Sequence, residues 1–227
     1  MDTVVISLGG SVLVPGDSDA EYIKTLSTIL KELSESISLF IVCGGGRIAR
    51  YYINTGRALG LTESQLDELG IGATRMNAGI LIAALGDCAY SRPARDVDQA
   101  HNAKEDYAIV VMGGTEPGHT TDAVSAMLAE KVGASRLVNA TNVDGVYDSD
   151  PKKNTDAKKF DTMTYEQLQG LSTDGHDMAG PNVIFDPKGL SIIAQKKIPL
   201  LVCNGRNLKA LKDAVQGNDF EGTVVAQ

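Results

Sequence analysis

Short apolar runs alternate along the chain with stretches whose apolar residues recur every three or four positions. Residues 4–8 (VVISL) read as a buried strand that runs straight into Gly9, Gly10 and Ser11. Between residues 20 and 33, Tyr22, Ile23, Leu26, Ile29, Leu30 and Leu33 take helical spacing, which predicts an amphipathic helix. Residues 39–43 form a second strand opening into Gly44, Gly45, Gly46 and Arg47, and residues 48–59 are helical again. Thr62, three residues ahead of Gln65, predicts a capping box for a further helix. That region carries Asp67, Gly70, Gly72, Thr74, Arg75 and Asn77 before an apolar pattern at 80–85.

A polar segment with Arg92, Pro93 and Arg95 precedes a third strand at 108–112, and the small-residue loop 113–123, GGTEPGHTTDA, follows it. Residues 122–131 predict a helix, 136–140 a strand, and 141–153 (TNVDGVYDSDPKK) a run of turns. A short helix at 164–171, a mobile polar loop at 173–182, a helix from Asp186, a strand at 198–203, a helix at 207–215 and a last strand at 223–225 complete the pattern.

This rhythm predicts an α/β chain with a mostly parallel sheet covered on both faces. Ligands bind such sheets outside the carboxyl ends of the strands, near a topological switch point. Every glycine-rich loop here follows a strand, so the loops at 9–11, 44–47, 113–121 and 141–147 are expected to converge on one edge. Without a repeat, low-complexity tract or linker, the 227 residues read as a single domain of two lobes sharing one sheet, divided near residue 135.

Hydrophobic residues make up 43% and charged residues 22%, which allows a proper core and excludes wholesale disorder. The formal net charge of −8 argues against general nucleic-acid or anionic-membrane binding, so an anionic ligand needs local Arg or Lys. Cys43, Cys88 and Cys203 include no CxxC pair, which predicts free thiols in a reducing compartment, with Cys43 and Cys203 in the core. The opening MDTVVISLGG has no signal-peptide pattern, and no apolar run approaches the roughly 20 residues of a membrane helix. The expected location is the cytoplasm.

Anion binding is the chemistry these loops can do. In the loop after the third strand, neighbouring glycines permit close backbone approach. Thr120 and Thr121 supply short donors and Asp122 a capping carboxylate at a helix start, where N–H groups are unpaired and the dipole favours anions. Neither GxxxxGK[ST] nor GxGxxG is present. Arg47, Arg50 and Arg75 are the useful cations. Arg47 opposes a helix dipole, which points to a compensating anion, and Arg57 reads as surface. His101, His119 and His176 lack metal-site spacing, no Ser, His and Asp arrangement emerges, and His119 suits either substrate contact or turn formation. Phosphoryl transfer to another phosphate needs no general base, because the acceptor oxygen is already ionised at pH 7. Its difficulty is repulsion between anions, which N–H groups, Arg, Lys and Mg²⁺ relieve.

The stretches SLGGSVLVP, CGGGRIARYY, DELGIGATRMNA, MGGTEPGHTTDAVSAMLAE and TNVDGVYDSDPKK, with the pair Asp186 and Pro187, resemble the amino acid kinase fold family, specifically its archaeal-type uridylate kinases. They span nearly the whole chain in the family's order, and GGTxPGHTTDA followed by TNVDGVY is the specific part. The resemblance implies a three-layer α/β/α sandwich that transfers the ATP γ-phosphate to UMP in pyrimidine nucleotide biosynthesis, giving ADP and UDP. UMP belongs to the N-terminal lobe and ATP to the C-terminal lobe.

Carried over by position, Gly45, Asp67, Gly114, Thr115, Glu116, Pro117, Gly118, His119, Thr120 and Thr121 hold UMP, with Asp67 suited to the ribose hydroxyls. Arg75, in TRMNA beside that pocket, is expected to serve UMP too. Gly9, Gly10, Ser11, Gly46, Arg50, Thr141, Asn142, Tyr147 and Asp150 lie at ATP and its phosphates. Asp122 and Asp186 match acidic positions that organise the catalytic cations, and Gly9 and Gly10 flank the transferred group. Mg²⁺ is carried with ATP rather than held as a resident metal. The partners implied are UMP, ATP and further copies of the chain, a hexamer, with no nucleic acid or membrane.

One departure concerns that cation. The wider family has a Lys two residues before the first glycine of the GG pair, where this chain has Ser7, and often another five residues after the second aspartate, here Ser191. Removing a transition-state cation costs on the order of 3 kcal/mol, so Lys188, Lys152 or Lys153 is expected to substitute. Two alternatives stand beside the UMP kinase: a kinase of another small acid, and a nucleotide sensor or oxoanion storage protein on the same scaffold. Isoprenoid phosphate kinases carry a His shortly after the second glycine loop, where this chain has Arg47, Ile48, Ala49 and Arg50.

Overall fold

The computed structural model describes residues 1–16, 19–149, 151, 153–173 and 184–227. The elements run β1 (Asp2–Leu8), α1 (Gly10–Leu13), α2 (Asp19–Ser34), β2 (Ile37–Cys43), α3 (Gly46–Ala58), α4 (Glu63–Leu85), α5 (Val97–Ala103), β3 (Ile109–Met112) and α6 (Thr121–Val132). The second half continues with β4 (Arg136–Thr141), β5 (Val146–Tyr147), β6 (Lys159–Phe160), β7 (Thr162–Thr164), α7 (Tyr165–Thr173), α8 (Pro187–Lys196), β8 (Leu200–Asn204), α9 (Leu208–Gln216) and β9 (Thr223–Ala226).

Seven strands share one sheet in the order β3, β2, β1, β4, β8, β9, β7. Pairings from β3 through β8 are parallel, and β9 runs antiparallel to β8. The chain steps outward from β1 to β3 and then returns to lay β4 on the other side of β1. That reversal is the switch point that opens a crevice at the carboxyl ends of the strands.

Alternate strand residues feed two cores. Ile6, Leu8, Leu39 and Ile41 face α2, α4 and α9, whereas Val5, Phe40, Val42 and Val110 face α6 and α8. Both faces are dry, so the strands read as continuous apolar runs. The result is the expected three-layer sandwich with a mostly parallel sheet.

The capping box at Thr62 and Gln65 forms, and α4 runs from it for 23 residues. By length and composition alone this helix is apolar enough to cross a bilayer, which counting uninterrupted apolar runs did not anticipate. It is a core helix, burying Leu66, Ile71, Ala78, Leu81 and Leu85. Other differences are local. Asp96 caps α5 inside the polar segment by accepting from Gln99 N (2.7 Å), and the turn-rich segment folds back as the β5–β6 pair. The cap of α6 is Thr120, whose hydroxyl accepts from Ala123 N (3.1 Å); Asp122 sits inside the first turn, so its carboxylate is not the cap. Asp150, Lys152, His176 and positions 174–182 of the expected loop lie outside the described residues.

Candidate active site

Because Leu8 and Cys43 are register partners, β1 and β2 release their glycine loops side by side. The loops meet backbone to backbone. A Cβ on Gly10 would collide with Gly46 N and Gly44 O, and one on Gly46, at φ +58°, would collide with Gly10. Only glycine fits this seam. Gly9 O accepts from Val12 N (2.9 Å) and Leu13 N (3.0 Å), which starts α1 with Ser11 in its first turn. Arg47 is exposed and its guanidinium lies against Gly16, while Arg50 is exposed one turn on. Arg57 pairs with Glu63 at 3.2 Å on the surface.

Helix α4 buttresses the loops after β2 and β3. Asn77 Nδ2 donates to Gly44 O (2.7 Å) and Gly45 O (3.3 Å), and Thr74 Oγ1 accepts from Gly114 N (2.7 Å) while donating to Ile71 O (2.7 Å). Asp67 Oδ2 accepts from Gly118 N at 2.8 Å. Arg75 donates Nε to Gly114 O (3.2 Å) and Nη2 to Thr115 O (3.0 Å) and Arg95 O (3.5 Å). Its guanidinium is therefore a clamp on backbone carbonyls.

Between α3, α4 and the loop after β3 lies a cleft of about 410 Å³, a size that suits a small ligand. Of the expected acceptor residues, Gly45, Asp67, Gly114, Glu116, Gly118, His119, Thr120 and Thr121 line it; Arg75, Thr115 and Pro117 do not. Ala49, Ile53, Gly70, Ile71 and Thr74 also line it and were missed. Their signal was available: Ala49 and Ile53, like Gly70 and Thr74, are four apart and share a helix face. His119 Nδ1 stands 3.3 Å from Glu116 Oε1 but is not aligned for a hydrogen bond. His119 Nδ1 and Thr115 Oγ1 are thus buried polar atoms without a hydrogen-bond partner among the described residues.

On the other face of the sheet, Ser7 Oγ donates to Asp122 Oδ1 at 2.9 Å, and the nearby Asp186 backbone N–H favours the charged form of that carboxylate. Asp122 keeps some surface open, yet dense protein surrounds its carboxylate. Desolvation pushes its pKa up to about 6; the Ser7 bond opposes this and the nearby Asp186 charge adds to it. Asp186 caps α8, accepting from Gly189 N (3.0 Å) ahead of Pro187. Lys188 and Ser191 are exposed on α8. At the end of β4, Thr141 Oγ1 lies 3.5 Å from Asn142 Oδ1, and Tyr147 OH donates to Asp144 Oδ1 at 2.9 Å.

The sequence profile described as "Amino acid kinase family" matches residues 2–204, most of this chain. The chain belongs to the amino acid kinase family. Relatives in that family agree over the full length. A protein named uridylate kinase from Methanoculleus marisnigri is 45% identical over 227 residues, covering 100% of this chain and 97% of its own. Another of that name from Thermoplasma volcanium is 46% identical over 216 residues, 95% of this chain and 94% of its own. Among solved structures, a uridylate kinase from Archaeoglobus fulgidus superimposes with a TM-score of 0.88 at 41% identity, covering 100% of both chains. The UMP kinase of Ureaplasma parvum does so with 0.82 at 26% identity, covering 100% and 99%. The expected family and fold are thus both found.

Proposed function

We propose that this chain transfers the γ-phosphoryl group of ATP to UMP, giving ADP and UDP. The observation that carries this reading is the cleft of about 410 Å³ between α4 and the loop after β3, opening beside the Gly10–Gly46 seam. An acceptor phosphate there needs no base, because its oxygen is already ionised. Gly45 and the loop from Gly114 to Thr121 hold UMP. Asp67 gives one oxygen to Gly118 N and leaves the other for a ribose hydroxyl. Arg75 acts on UMP at one remove, by fixing the carbonyls of Gly114 and Thr115.

ATP lies across Gly9, Gly10, Ser11, Gly46 and Arg50 toward Thr141, Asn142 and Tyr147, and the family resemblance adds Asp150, outside the described residues. In the two-lobe arrangement UMP lies within residues 1–135, and ATP bridges from the loops at 9–11 and 46–50 to the lobe beyond residue 135. Asp122 and Asp186 organise the cationic groups at the transferred phosphate, and Lys188 stands in for the lysine absent at Ser7 and Ser191. Mg²⁺ enters on the ATP phosphates and neutralises their charge. The three free cysteines fit a cytoplasmic enzyme. A homo-oligomer, as a hexamer, accounts for the exposed Tyr51, Tyr52, Leu59, Met76 and Ile80 on and beside the packed pair α3 and α4.

The test is steady-state formation of ADP and UDP from Mg·ATP, with UMP, dUMP, CMP and small carboxylic acids as acceptors. UMP is expected to give the highest kcat/KM. A carboxylic acid preferred over every nucleotide would transfer the proposal to a small-acid kinase, and no ADP with any acceptor would leave a binding protein.

A further inference from the structure

Two polar residues interrupt the apolar layer under α6 and α8. Ser7 and Asn139 are 3% and 4% exposed, and they are register partners on the parallel strands β1 and β4. Both point to the face that carries Val5 and Leu137, so they stand side by side in an otherwise hydrophobic row. A hydroxyl and an amide at the centre of a sheet cost free energy unless each finds a partner. Both find one, and neither partner belongs to the sheet.

Ser7 Oγ reaches up to Asp122 Oδ1 at 2.9 Å, in the first turn of α6. Asn139 Nδ2 donates to Ile184 O at 2.7 Å, two residues before Asp186 caps α8. The Asp186 N–H then lies near enough to the Asp122 carboxylate to favour its charged form. Gly189 lets the two helix starts come this close, since a Cβ there would stand 3.1 Å from Asp122 O. Neither Ser7 nor Asn139 is among the residues lining the cleft, so each acts through another group.

We propose that Ser7 and Asn139 are positioning residues for phosphoryl transfer: Ser7 orients the Asp122 carboxylate, and Asn139 fixes the turn that delivers Asp186 against it. This rests on the phosphoryl-transfer reading given above. The two strands set the spacing of the carboxylate pair, and the hydrogen bonds transmit that spacing across the gap to the helices. The pair is then preorganised before substrate arrives, which is where a rigid scaffold contributes most to a charged transition state.

The experiment measures kcat and both KM values for the full-length protein with UMP and Mg·ATP, alongside thermal unfolding. Ser7→Ala is expected to lower kcat about 10-fold, the scale of one hydrogen bond to a charged group, with both KM values within about twofold. Ser7→Thr keeps the hydroxyl and is expected to recover kcat to within about threefold of the parent, a rescue that mere space-filling would not give. Asn139→Ala is expected to lower kcat similarly. In the Ser7→Ala, Asn139→Ala double variant the losses should fall short of additive, because both residues hold one pair. Should Ser7→Ala not fold, Ser7→Cys replaces it: nearly the same volume with a weak donor, and the same loss is expected.

An active parent with Ser7→Ala or Ser7→Cys at full kcat would overturn the positioning role and leave the kinase reading intact. A Ser7→Thr variant as slow as Ser7→Ala would overturn it also. A parent that forms no ADP would sink both.

Discussion

The α4 wall and the β4 end of the site hold their loops in different ways. On the wall, four side chains between Asp67 and Asn77 of one helix bind the backbone of Gly44, Gly45, Gly114, Thr115 and Gly118, loops distant in sequence. At the β4 end the bonds are mostly local. Tyr147 reaches Asp144, and Asp148 holds Ser149 and Lys158, all within one hairpin. Longer-range ties run to Thr223 on β9, whose Oγ1 accepts from Val146 N (2.8 Å) and donates to Phe160 O. A loop pinned by a packed helix resists displacement with the stability of the core behind it. A hairpin pinned by itself resists only with its own few bonds. On the proposed function, the acceptor side is thus held by the core, whereas the donor-side hairpin is held mostly by short-range bonds among the described residues.

The largest effect is expected where the two sides meet. In Gly10→Ala the new methyl collides with backbone on Gly44 and Gly46, which cannot rotate away. A loss on the order of 3 kcal/mol or more in unfolding free energy is expected, with kcat/KM for UMP and for ATP both falling at least about 100-fold. Denaturant unfolding and two-substrate kinetics check this. A variant that loses one substrate only would show that the seam belongs to one side.

Next comes the carboxylate pair at the seam's flank. The Asp122 carboxyl is raised from 3.8 to about 6 in the folded protein, so between these values the folded state binds more protons than the unfolded one. Stability from this group is therefore present at low pH and lost as pH rises from about 4 to 6. The change is on the order of 2–3 kcal/mol at about 1.4 kcal/mol per unit. Asp122→Asn removes the titration while keeping the shape. The stability of the parent relative to Asp122→Asn, measured by denaturant unfolding at pH 4.5 and 7, is expected to drop at the higher pH. A gap independent of pH refutes the assignment.

The contrast between the two sides also explains what could be read from the sequence. Strands buried on both faces leave apolar runs, so the run at 4–8, for example, sits inside β1 and the one at 39–43 inside β2. Glycine loops after strands pointed to the seam because close backbone approach demands glycine. Arg75 read as a substrate cation because its partners, the carbonyls of Gly114 and Thr115, lie about 40 residues away and a carbonyl leaves no residue-type signal. Ser7 read as an absent lysine; its bond to Asp122, 115 positions on, exists only once α6 crosses β1. The short strands β5, β6 and β7 went unread because two or three residues carry no period.

The smallest effect decides whether the comparison stands. Thr74→Val keeps the shape but removes the acceptor for Gly114 N, leaving a buried N–H unpaired. That costs about 2 kcal/mol, so the KM for UMP is expected to rise 10-fold or more and the KM for ATP to stay within about twofold. Tyr147→Phe removes one short-range bond of the hairpin, worth about 1 kcal/mol or less, and is expected to change the KM for ATP by less than about twofold. Each measurement needs the other. A Thr74→Val protein with an unchanged KM for UMP would mean that the α4 wall yields as easily as the hairpin. A 10-fold rise in the KM for ATP from Tyr147→Phe would mean that the hairpin is as rigid as the wall, because one phenolic hydroxyl matters that much only in a loop that cannot readjust.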